Sequence, residues 1–446
     1  MTVESEAPTQ VQSQRPAVQR VAIIGGSRIP FARQNTQYAE ASNLDMLTAA
    51  IDSLAERFAL RGKRLGEVAA GAVLKHSRDA NLSREATLIT ALAPETPAYD
   101  VQMACATSLQ SSVHVGNKIA LGQIECGIAG GVDSASDVPV AVSERLRRVI
   151  LAASRAKDGW SRVRALAGIR PSMLKPSVPN VNERRTGMSM GEHCELMVKR
   201  WKIGRAAQDE LALASHQNGA RAYKRGFYDD LVVPFRGLAR DNNLRESSSL
   251  EQLGKLRLAF DTKSGQGTLT AGNSTPLTDG AAVLLLASER WAESAGHEPQ
   301  AWLVDAESGA VEFAGPNAEG LLMAPVYAAP RLLARNGLTL ADFDYYEIHE
   351  AFSGQVLCTL AAWENEEYCR TRLGLPGAFG SVDRAKLNVN GGSVGLGHPF
   401  AATGARIVAG AAKQLAELRR ETGRRGRTLV SVCAAGGLGV VAIIEG

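Results

Sequence analysis

Two segments near the C-terminus carry side chains suited to acid/base chemistry. One places His398 directly before Pro399 at the end of a glycine-rich turn, and the other is a β-branched run, 428–432, that leads into Cys433 and a small-residue turn. Proline is favoured at the first helical position, where its missing N–H is not needed, so the first pattern predicts a helix that begins at Pro399. A histidine and a cysteine at the ends of rigid elements indicate an acid/base pair that still requires a nucleophile.

The candidate nucleophile is Cys105, which lies far upstream where an extended run meets small, helix-compatible residues. Apolar residues follow at Leu109, Val113 and Ile119, so the pattern predicts a helix that begins just after the cysteine. A cysteine at a helix N-terminus lies at the positive end of the helix dipole, which can lower the thiol pKa. Free cysteine is also common as a small buried apolar residue, so the pattern alone leaves a structural interpretation open.

Seven blocks of the sequence resemble the active-site blocks of the thiolase family, the enzymes that make or cleave 3-ketoacyl-CoA. They occur in the family's order and cover nearly the whole chain. They are RIPFAR at 28–33, the block around Cys105, MSMGE at 188–192, LTAGNSTPLTDGAA at 269–282, EIHEAF at 347–352 and the two C-terminal blocks. No single block would be specific, whereas seven in order indicate family membership.

Two departures from the commonest thiolase pattern are informative. His349 stands where most members of the family have asparagine, and the last block reads CAAGG from Cys433 where most have Cys-x-Gly-Gly-Gly. Both variants resemble the thiolase subunits of trifunctional complexes in fatty-acid β-oxidation and their bacterial relatives. The resemblance therefore implies CoA-dependent cleavage of 3-ketoacyl-CoA, with CoA as co-substrate and no tightly bound cofactor. A biosynthetic thiolase that forms acetoacetyl-CoA is the alternative.

The resemblance also implies a role for each reactive residue. Cys105 would attack the substrate and carry the acyl group, His398 would accept its proton, and Cys433 would protonate the leaving enolate. Backbone N–H groups of Cys105 and Ala435 would stabilise the thioester oxyanion, and His349 with His398 would polarise the other carbonyl.

Three further residues are implied in binding the substrate. Met190 and Phe352 would line the acyl pocket, and Thr275 would contact the pantetheine arm of CoA, where many relatives have serine. No group of cysteines has zinc-ligand spacing, so we expect no metal ion.

The sequence leaves two other functions open. A decarboxylating 3-ketoacyl synthase of the same superfamily uses one cysteine with two histidines, which Cys105, His349 and His398 could mimic. Cys433 argues against it, because decarboxylation generates the carbanion without a second acid/base thiol. A catalytically silent lipid- or CoA-binding protein is the other rival, and the complete set of reactive residues argues against it.

Composition bounds the class of protein. The chain has 446 residues and 45% hydrophobic content, enough for two or three domains. No apolar run approaches the ~20 residues that a membrane span needs, and the polar residues 1–18 are predicted to be a disordered tail. The six cysteines form no CxxC pair, which indicates a reduced, cytoplasmic protein.

The net charge of +4 is distributed unevenly. Between 143 and 175, nine lysines and arginines accompany only Glu144 and Asp158, so this segment carries +7 and the rest of the chain −3. Apolar residues recur there at helical spacing, and a basic amphipathic stretch can bind a partner or an anionic membrane surface, or stay solvated. The resemblance favours a hydratase/dehydrogenase partner subunit or a membrane. The sequence has no nucleic-acid-binding motif, so no nucleic acid is expected.

Short apolar runs alternate with helical patterns, which is typical of an α/β protein with mixed sheets. Strands are predicted at 21–26, 126–131, 302–305, 429–432 and 440–444, and helices at 44–60, 206–223, 326–334 and 406–418. The resemblance implies the thiolase fold, in which duplicated βαβαβαββ halves form a five-layered α-β-α-β-α arrangement with an inserted loop domain. It also implies a homodimer or a dimer of dimers.

The predicted domain boundaries follow from where this alternation stops. The N-terminal thiolase half comprises 19–137 and 260–297, the inserted loop domain 138–259, and the C-terminal half 298–446, after the tail at 1–18. The insert contains the basic segment and, by resemblance, covers the CoA pocket.

Overall fold

The computed structural model describes residues 18–177 and 182–446, so the predicted tail lies outside the described residues except for Val18. The strands are β1 (Val21–Arg28), β2 (Ala32–Arg33), β3 (Glu67–Ala70), β4 (Ala98–Asp100), β5 (Cys126–Asp133), β6 (Thr278–Ser288), β7 (Ala301–Ala310), β8 (Tyr345–Ile348), β9 (Arg427–Ala434) and β10 (Leu438–Glu445). The helices are α1 (Asn43–Arg57), α2 (Leu82–Ile89), α3 (Thr107–Ala120), α4 (Glu144–Arg155), α5 (Gly159–Leu166), α6 (Met190–Arg200), α7 (Arg205–Lys224), α8 (Leu250–Gly254), α9 (Glu289–Ala295), α10 (Ala324–Arg335), α11 (Ser353–Glu364), α12 (Glu366–Arg372), α13 (Ser393–Leu396) and α14 (Thr403–Thr422).

The strands form one mixed sheet in the order β4-β3-β5-β6-β1-β7-β10-β9-β8, with β2 beside β6. The pairing between β1 and β7 is short, because only residues 21–23 of β1 reach residues 301–303 of β7. The sheet therefore divides there into a first half-sheet, which ends in β1, and a second half-sheet, which begins with β7. The two half-sheets correspond to the two halves of the chain.

Alternate residues of the strands enter different hydrophobic cores, as the two-residue period of a strand requires. Ile23 of β1 and Val432 of β9 face a central core that they share with α3 and α14. Ile24 of β1 faces an outer core with α1 and α2, and Leu429 of β9 faces a second outer core with α10 and α11. Helices therefore form three layers. One layer lies between the two half-sheets, and one lies on the outer face of each half-sheet. The five-layered α-β-α-β-α arrangement implied by the resemblance is confirmed.

The two halves repeat the same order of elements with one difference. The first half runs β1-α1-β3-α2-β4-α3-β5-β6, which is the expected βαβαβαββ order. In the second half β7, β8, β9 and β10 take the places of β1, β3, β5 and β6, while the counterpart of β4 is reduced to an isolated bridge between Tyr346 and Leu387. The turn that follows this bridge carries His398, so the shortened strand leaves room for a functional loop.

The strands and helices predicted from the sequence are all present, but one helix begins later than predicted. The helix after His398 was expected to begin at Pro399, whereas α14 begins at Thr403 after a short 3₁₀ turn, Phe400–Ala402. Pro399 has ψ of 77°, outside the helical region. The reason is that His398 is held in an extended bridge with Leu277, which keeps this part of the chain out of the helix.

The segment between β5 and β6 contains α4 to α8 and is anchored to the first half by a buried ion pair. Arg28 at the end of β1 donates two hydrogen bonds to Asp241, at 2.6 and 2.7 Å, and Asp241 also accepts the N–H of Phe31 at 2.7 Å. Removing one partner of such a pair costs about 3–5 kcal/mol because the other charge stays buried. This anchoring gives the RIPFAR block a structural role, while the boundaries at 138 and 259 stay predictions. Among the described helices, none is long and apolar enough to cross a membrane.

Candidate active site

Cys105 lies on a tight turn immediately before α3. The residue ahead of it, Ala104, has φ of 45°, in the left-handed region that non-glycine residues rarely adopt. The side chain of Thr107 holds this turn, because its Oγ1 accepts the N–H of Met103 at 2.9 Å and donates to the carbonyl of Ala104 at 2.7 Å. Such local strain persists where the surrounding structure enforces it, and here it sets the direction of the Cys105 side chain.

His398 is in hydrogen-bond contact with Cys105. Its Nε2 lies 3.1 Å from Cys105 Sγ, and its Nδ1 lies 2.6 Å from Thr403 Oγ1, at the start of α14. The backbone N–H of His398 donates to Thr278 Oγ1 at 2.8 Å, which fixes the loop as well as the ring. The thiol and the imidazole are therefore placed for direct proton transfer.

Two glycines allow the His398 loop to approach β5 closely. Gly397 has φ of 113°, and a side chain at Gly131 would lie 2.1 Å from the carbonyl oxygen of Ala401. Asp133, at the end of β5, accepts the N–H of Ala401 at 2.8 Å and so holds the loop in place. Burial raises the pKa of Asp133 to about 7.

His349 and Cys433 come from neighbouring parallel strands that end at the same edge of the sheet. His349 directly follows β8 and donates its N–H to the carbonyl of Ser431 in β9 at 2.8 Å, and Cys433 is near the end of β9. The rings of His349 and His398 have centroids 4.1 Å apart. Cys105 Sγ and one nitrogen from each ring all lie within 4.8 Å of one another. The structure therefore brings the predicted thiol nucleophile and both histidines together.

The same three atoms have the chemistry to ligate zinc, which accepts thiolate and imidazole ligands. They are also the atoms that would perform the reaction, so a metal ion held there would block the Cys105 thiol. The predicted absence of a metal ion stays a prediction.

Burial controls the protonation of the Cys105 and His398 pair. Burial, and then the charge of Asp133, raise the pKa of the Cys105 thiol to about 12, although the N–H groups of Ala435 and of Cys105 itself partly offset this. Burial, and then the charge of Arg406, lower the pKa of His398 to about 3. Both groups are therefore neutral near pH 7. The expectation of a lowered thiol pKa is wrong, because Cys105 is only 8% exposed and desolvation disfavours its thiolate.

The backbone groups of Ala435 and of Cys105 itself act on the Cys105 thiol and lower its pKa against the effect of burial. Ala435 lies in the tight turn between β9 and β10, where Gly436 and Gly437 have positive φ. The N–H of Gly436 is occupied by the carboxylate of Glu183 at 2.8 Å. Ala435 is thus the residue of this turn whose backbone lowers the pKa of the nucleophile.

Cys433 is a buried thiol beside the nucleophile. Burial, and then the nearby Cys105, raise the pKa of the Cys433 thiol well above its ordinary value. It is 1% exposed and packs in the outer core of the second half-sheet. A protonated thiol in this position can donate a proton, and a thiolate formed there would be a strong base.

Two of the three predicted substrate contacts, Met190 and Phe352, belong to this outer core, and the third, Thr275, contacts the backbone next to Phe352. Ser274 and Phe352 form a backbone bridge, which brings Thr275 beside the turn that follows β8. Thr275 Oγ1 donates to the carbonyl of Ala351 at 3.1 Å and keeps lone pairs free to accept a hydrogen bond. Met190 packs against the same hydrophobic core as Phe352.

Phe260 belongs to this group but was not predicted from the sequence. Its ring meets Phe352 edge-to-face with centroids 5.7 Å apart, and a side chain at Gly191 would collide with it at 2.1 Å. The only sequence signal was a lone aromatic residue close to the 269–282 block. Ser393, Thr403 and Arg406 were also missed, although all three lie inside the C-terminal histidine block.

Comparison with known proteins agrees with the resemblance. Residues 21–290 match the family description "Thiolase, N-terminal domain", and residues 303–446 match "Thiolase, C-terminal domain". The 3-ketoacyl-CoA thiolase of Pectobacterium atrosepticum is 41% identical over 432 residues, which cover 96% of each chain. That of Yersinia enterocolitica is 39% identical over 96% of this chain and 97% of its own.

Solved structures give the same result. The acetyl-CoA acetyltransferase of Bacillus anthracis superposes with a TM-score of 0.77 at 28% identity, covering 96% of this chain and 99% of that one. The acetyl-CoA acetyltransferase of Syntrophomonas wolfei has a TM-score of 0.78 at 26% identity with the same coverage. Since family descriptions match both halves and relatives match 96% of its length, the chain belongs to the thiolase family.

Proposed function

We propose that this protein cleaves 3-ketoacyl-CoA with CoA to give acetyl-CoA and an acyl-CoA shortened by two carbons, in fatty-acid degradation. The observation that carries the proposal is the contact of 3.1 Å between Cys105 Sγ and His398 Nε2, with a nitrogen of His349 within 4.8 Å. The relatives at about 40% identity are named 3-ketoacyl-CoA thiolases, which supports this substrate class.

The first half of the reaction breaks the carbon–carbon bond. Cys105 gives its proton to His398, and its sulfur attacks the 3-keto carbon of the substrate. The bond between C2 and C3 breaks, and its electron pair forms the enolate of acetyl-CoA, which takes a proton from Cys433. Cys105 is left as a thioester and Cys433 as a thiolate.

The second half transfers the acyl group to CoA. The incoming CoA thiol gives its proton to the Cys433 thiolate, and its sulfur attacks the thioester carbon. Cys105 leaves and recovers its proton from His398, so both thiols return to the neutral state. The N–H groups of Cys105 and Ala435 stabilise the oxyanion of this thioester, while His349 and His398 stabilise the enolate oxygen.

Cys433 favours a thiolase over a decarboxylating synthase. A synthase generates its carbanion by loss of carbon dioxide and does not need the second thiol, whereas this chain buries one beside the nucleophile. The choice between a degradative enzyme and a biosynthetic enzyme rests on His349, on the CAAGG turn and on the names of the relatives.

A cavity beside the predicted pantetheine contacts suits the phosphate groups of CoA. It has a volume of about 520 Å³ and is lined in part by Arg245, Leu253 and Leu256. The two leucines lie against Gly272, three residues before Thr275, so this wall of the cavity is close to the predicted pantetheine contact. The guanidinium of Arg245 has no partner among the described residues, and phosphate is a strong partner for arginine.

The proposed function is tested by incubating the protein with CoA and either acetoacetyl-CoA or a longer 3-ketoacyl-CoA. We expect equal amounts of acetyl-CoA and of the shortened acyl-CoA, measured by liquid chromatography with mass detection, and no cleavage when CoA is omitted. Lack of cleavage of either substrate would contradict the proposal. Condensation that proceeds only with malonyl-CoA would identify a synthase instead.

We further propose that the basic hairpin formed by α4 and α5 binds an anionic membrane surface. Its base is closed by two hydrogen bonds between Ala141 and Ser177, at 2.8 and 2.7 Å. Trp160 is 77% exposed and Val163 57%, and α5 buries none of its residues. Arg147 and Arg148 pair with Glu144, but the other cations between 143 and 175 have no acidic partner among the described residues. Exposed aromatic and aliphatic side chains among unpaired cations suit an interface with anionic lipid.

Reversing Arg155, Arg164 and Arg170 to glutamate is expected to weaken binding to anionic vesicles at least about 100-fold, since each cation near such a surface contributes about 1 kcal/mol. Turnover of soluble acetoacetyl-CoA should stay at the parent rate. The matched control reverses Arg61, Arg64 and Arg425, which are exposed and outside the hairpin.

Vesicle sedimentation at low salt provides the measurement, because electrostatic attraction is strongest there. A parent protein that does not sediment with anionic vesicles would disprove membrane binding. Capture of a hydratase/dehydrogenase subunit through the same arginines would assign the hairpin to that partner instead. The cytoplasmic location and the homodimer or dimer of dimers stay predictions.

A further inference from the structure

A chain of two hydrogen bonds runs from Arg406 to His349 through Ser393. Arg406 Nη2 donates to Ser393 Oγ at 2.7 Å, and Ser393 Oγ lies 2.8 Å from His349 Nδ1. All three residues are buried, with exposures of 6%, 0% and 1%. Buried polar contacts of this length are directional, so each proton in the chain can be assigned from donor and acceptor capacity.

The guanidinium of Arg406 has only donors, so the oxygen of Ser393 must accept from it. The hydroxyl of Ser393 has a single proton, and the other partner of this oxygen among the described residues is His349 Nδ1. That proton therefore goes to Nδ1, which must be unprotonated to accept it. A neutral imidazole whose Nδ1 is an acceptor carries its own proton on Nε2.

His349 is neutral as this assignment requires. Burial, and then the neighbouring His398 and Arg406, hold the pKa of His349 well below its ordinary value. Its Nε2 is buried and has no hydrogen-bond partner among the described residues. A buried donor without a partner is costly. The cost is removed when an oxygen atom of a ligand enters the site.

Both catalytic rings are held from the first turn of α14. Thr403 contacts Nδ1 of His398. Arg406, three residues further along α14, reaches His349 through Ser393. Burial lowers the pKa of Arg406, whereas the nearby buried carboxyl group of Glu347 acts to raise it. One helix end thus orients two imidazoles that have different tasks.

We propose that Ser393 and Arg406 are positioning residues that fix His349 as the Nε2–H tautomer. In this form the imidazole donates a hydrogen bond directly to the enolate oxygen of the departing acetyl-CoA. The inference rests on the proposed function, because that reaction supplies the oxygen. This positioning explains why His349 can stand where most thiolases have asparagine. The Ser393 hydroxyl and the Arg406 guanidinium allow the imidazole only one tautomer.

The tautomer can be measured without substrate. The protein has seven histidines, so selective ¹⁵N-histidine labelling and a long-range ¹H–¹⁵N spectrum are practical, with the His349 signals identified by their loss in His349→Asn. We expect Nδ1 of His349 to be unprotonated and Nε2 protonated. A proton on Nδ1 in the parent protein would overturn the proposal. This readout stays valid even if the protein fails to cleave 3-ketoacyl-CoA, so failure of the proposed function is separable.

Kinetics test the consequence for the reaction. Ser393→Ala is expected to lower kcat for carbon–carbon cleavage by about 10-fold to 100-fold, somewhat less than the loss of a complete oxyanion donor. KM and the rate of acyl exchange between acyl-CoA and CoA should stay near the parent values, because that exchange uses the N–H groups of Cys105 and Ala435. Ser393→Thr keeps the hydroxyl and should recover most of the activity.

Two controls separate positioning from a general structural effect. Ser112→Ala removes another buried hydroxyl, one that donates to the carbonyl of Ser108 at 2.7 Å within α3, and should change neither rate. His349→Asn should retain partial activity, and adding Ser393→Ala to it should cause little further loss, because the two residues act as a unit. The proposal would be overturned if Ser393→Ala slowed cleavage and acyl exchange equally. It would also be overturned if Ser393→Ala lowered the cleavage rate of the His349→Asn variant as much as it lowers that of the parent.

Discussion

Replacing Cys105 by alanine is expected to abolish both acyl-enzyme formation and turnover. Among the described residues, the sulfur of Cys105 is the only atom in contact with His398 Nε2 that can carry an acyl group. Cys433 is close, but burial and Cys105 hold its pKa well above the ordinary value, and the backbone of Ala435 acts on Cys105. No other group in the described site has both a base and an oxyanion donor.

Intact-protein mass spectrometry after mixing with 3-ketoacyl-CoA measures the acyl adduct, and peptide mapping assigns it. Cys126→Ala is the matched control, because Cys126 is equally buried but lies in β5, outside the site. The control should acylate and turn over like the parent. A stable adduct on Cys433 in the parent protein would mean that the two thiols have exchanged roles.

Replacing Cys433 by alanine or serine should slow carbon–carbon chemistry by about 10²–10⁴, the usual cost of losing a positioned acid/base group. Acyl transfer from acyl-CoA to Cys105 should slow far less, because the CoA thiolate that leaves in that step is a weaker base than the enolate and depends less on a proton from Cys433. Two rates are measured for each variant: the exchange of the α-protons of acetyl-CoA in deuterated water, and the acylation of Cys105. Exchange at the parent rate would show that Cys433 is not the base.

Cys358→Ala is the control for the Cys433 variants. Cys358 lies on α11 and packs in the same outer core as Cys433. Loss of its thiol leaves a comparable cavity in that core, so a decrease in activity caused by poorer packing would appear in this variant too. We expect it to exchange the α-protons of acetyl-CoA like the parent.

The elements that carry the site could be predicted from the sequence because local patterns specify them. The β-branched run before Cys433 predicts β9, and the spacing of Leu109, Val113 and Ile119 predicts α3. The two-residue period of a strand and the 3.6-residue period of a helix are properties of short segments. The family resemblance then supplied the five layers and the group of reactive residues.

Other features depend on contacts between distant segments and could not be predicted. The raised pKa of Cys105 follows from burial beneath α14 and the His398 loop, which no local pattern indicates. The contact of Ser393 with His349 depends on how the turn at 388–397 lies against the end of β8. Position in the sequence gave no reason to select this serine from the many others.

The reduced strand in the second half could not be predicted for the same reason. The first half devotes a complete strand, β4, to the position that leads into Cys105. Its counterpart pairs only through Leu387, since the chain must turn at once to bring Asn388 against the backbone of Ile348. At this position the turn that the active site needs replaces the strand that the repeat of the first half would supply.

The separation of Cys105 and His398 by 293 residues has a consequence for folding. Closing so long a loop carries a large entropic cost, and proteins rich in such contacts fold slowly. Neither half of the chain contains a complete acid, base and nucleophile. Enzymatic activity during refolding is therefore a reporter of the final docking of the halves, whereas helix content reports only events within each half.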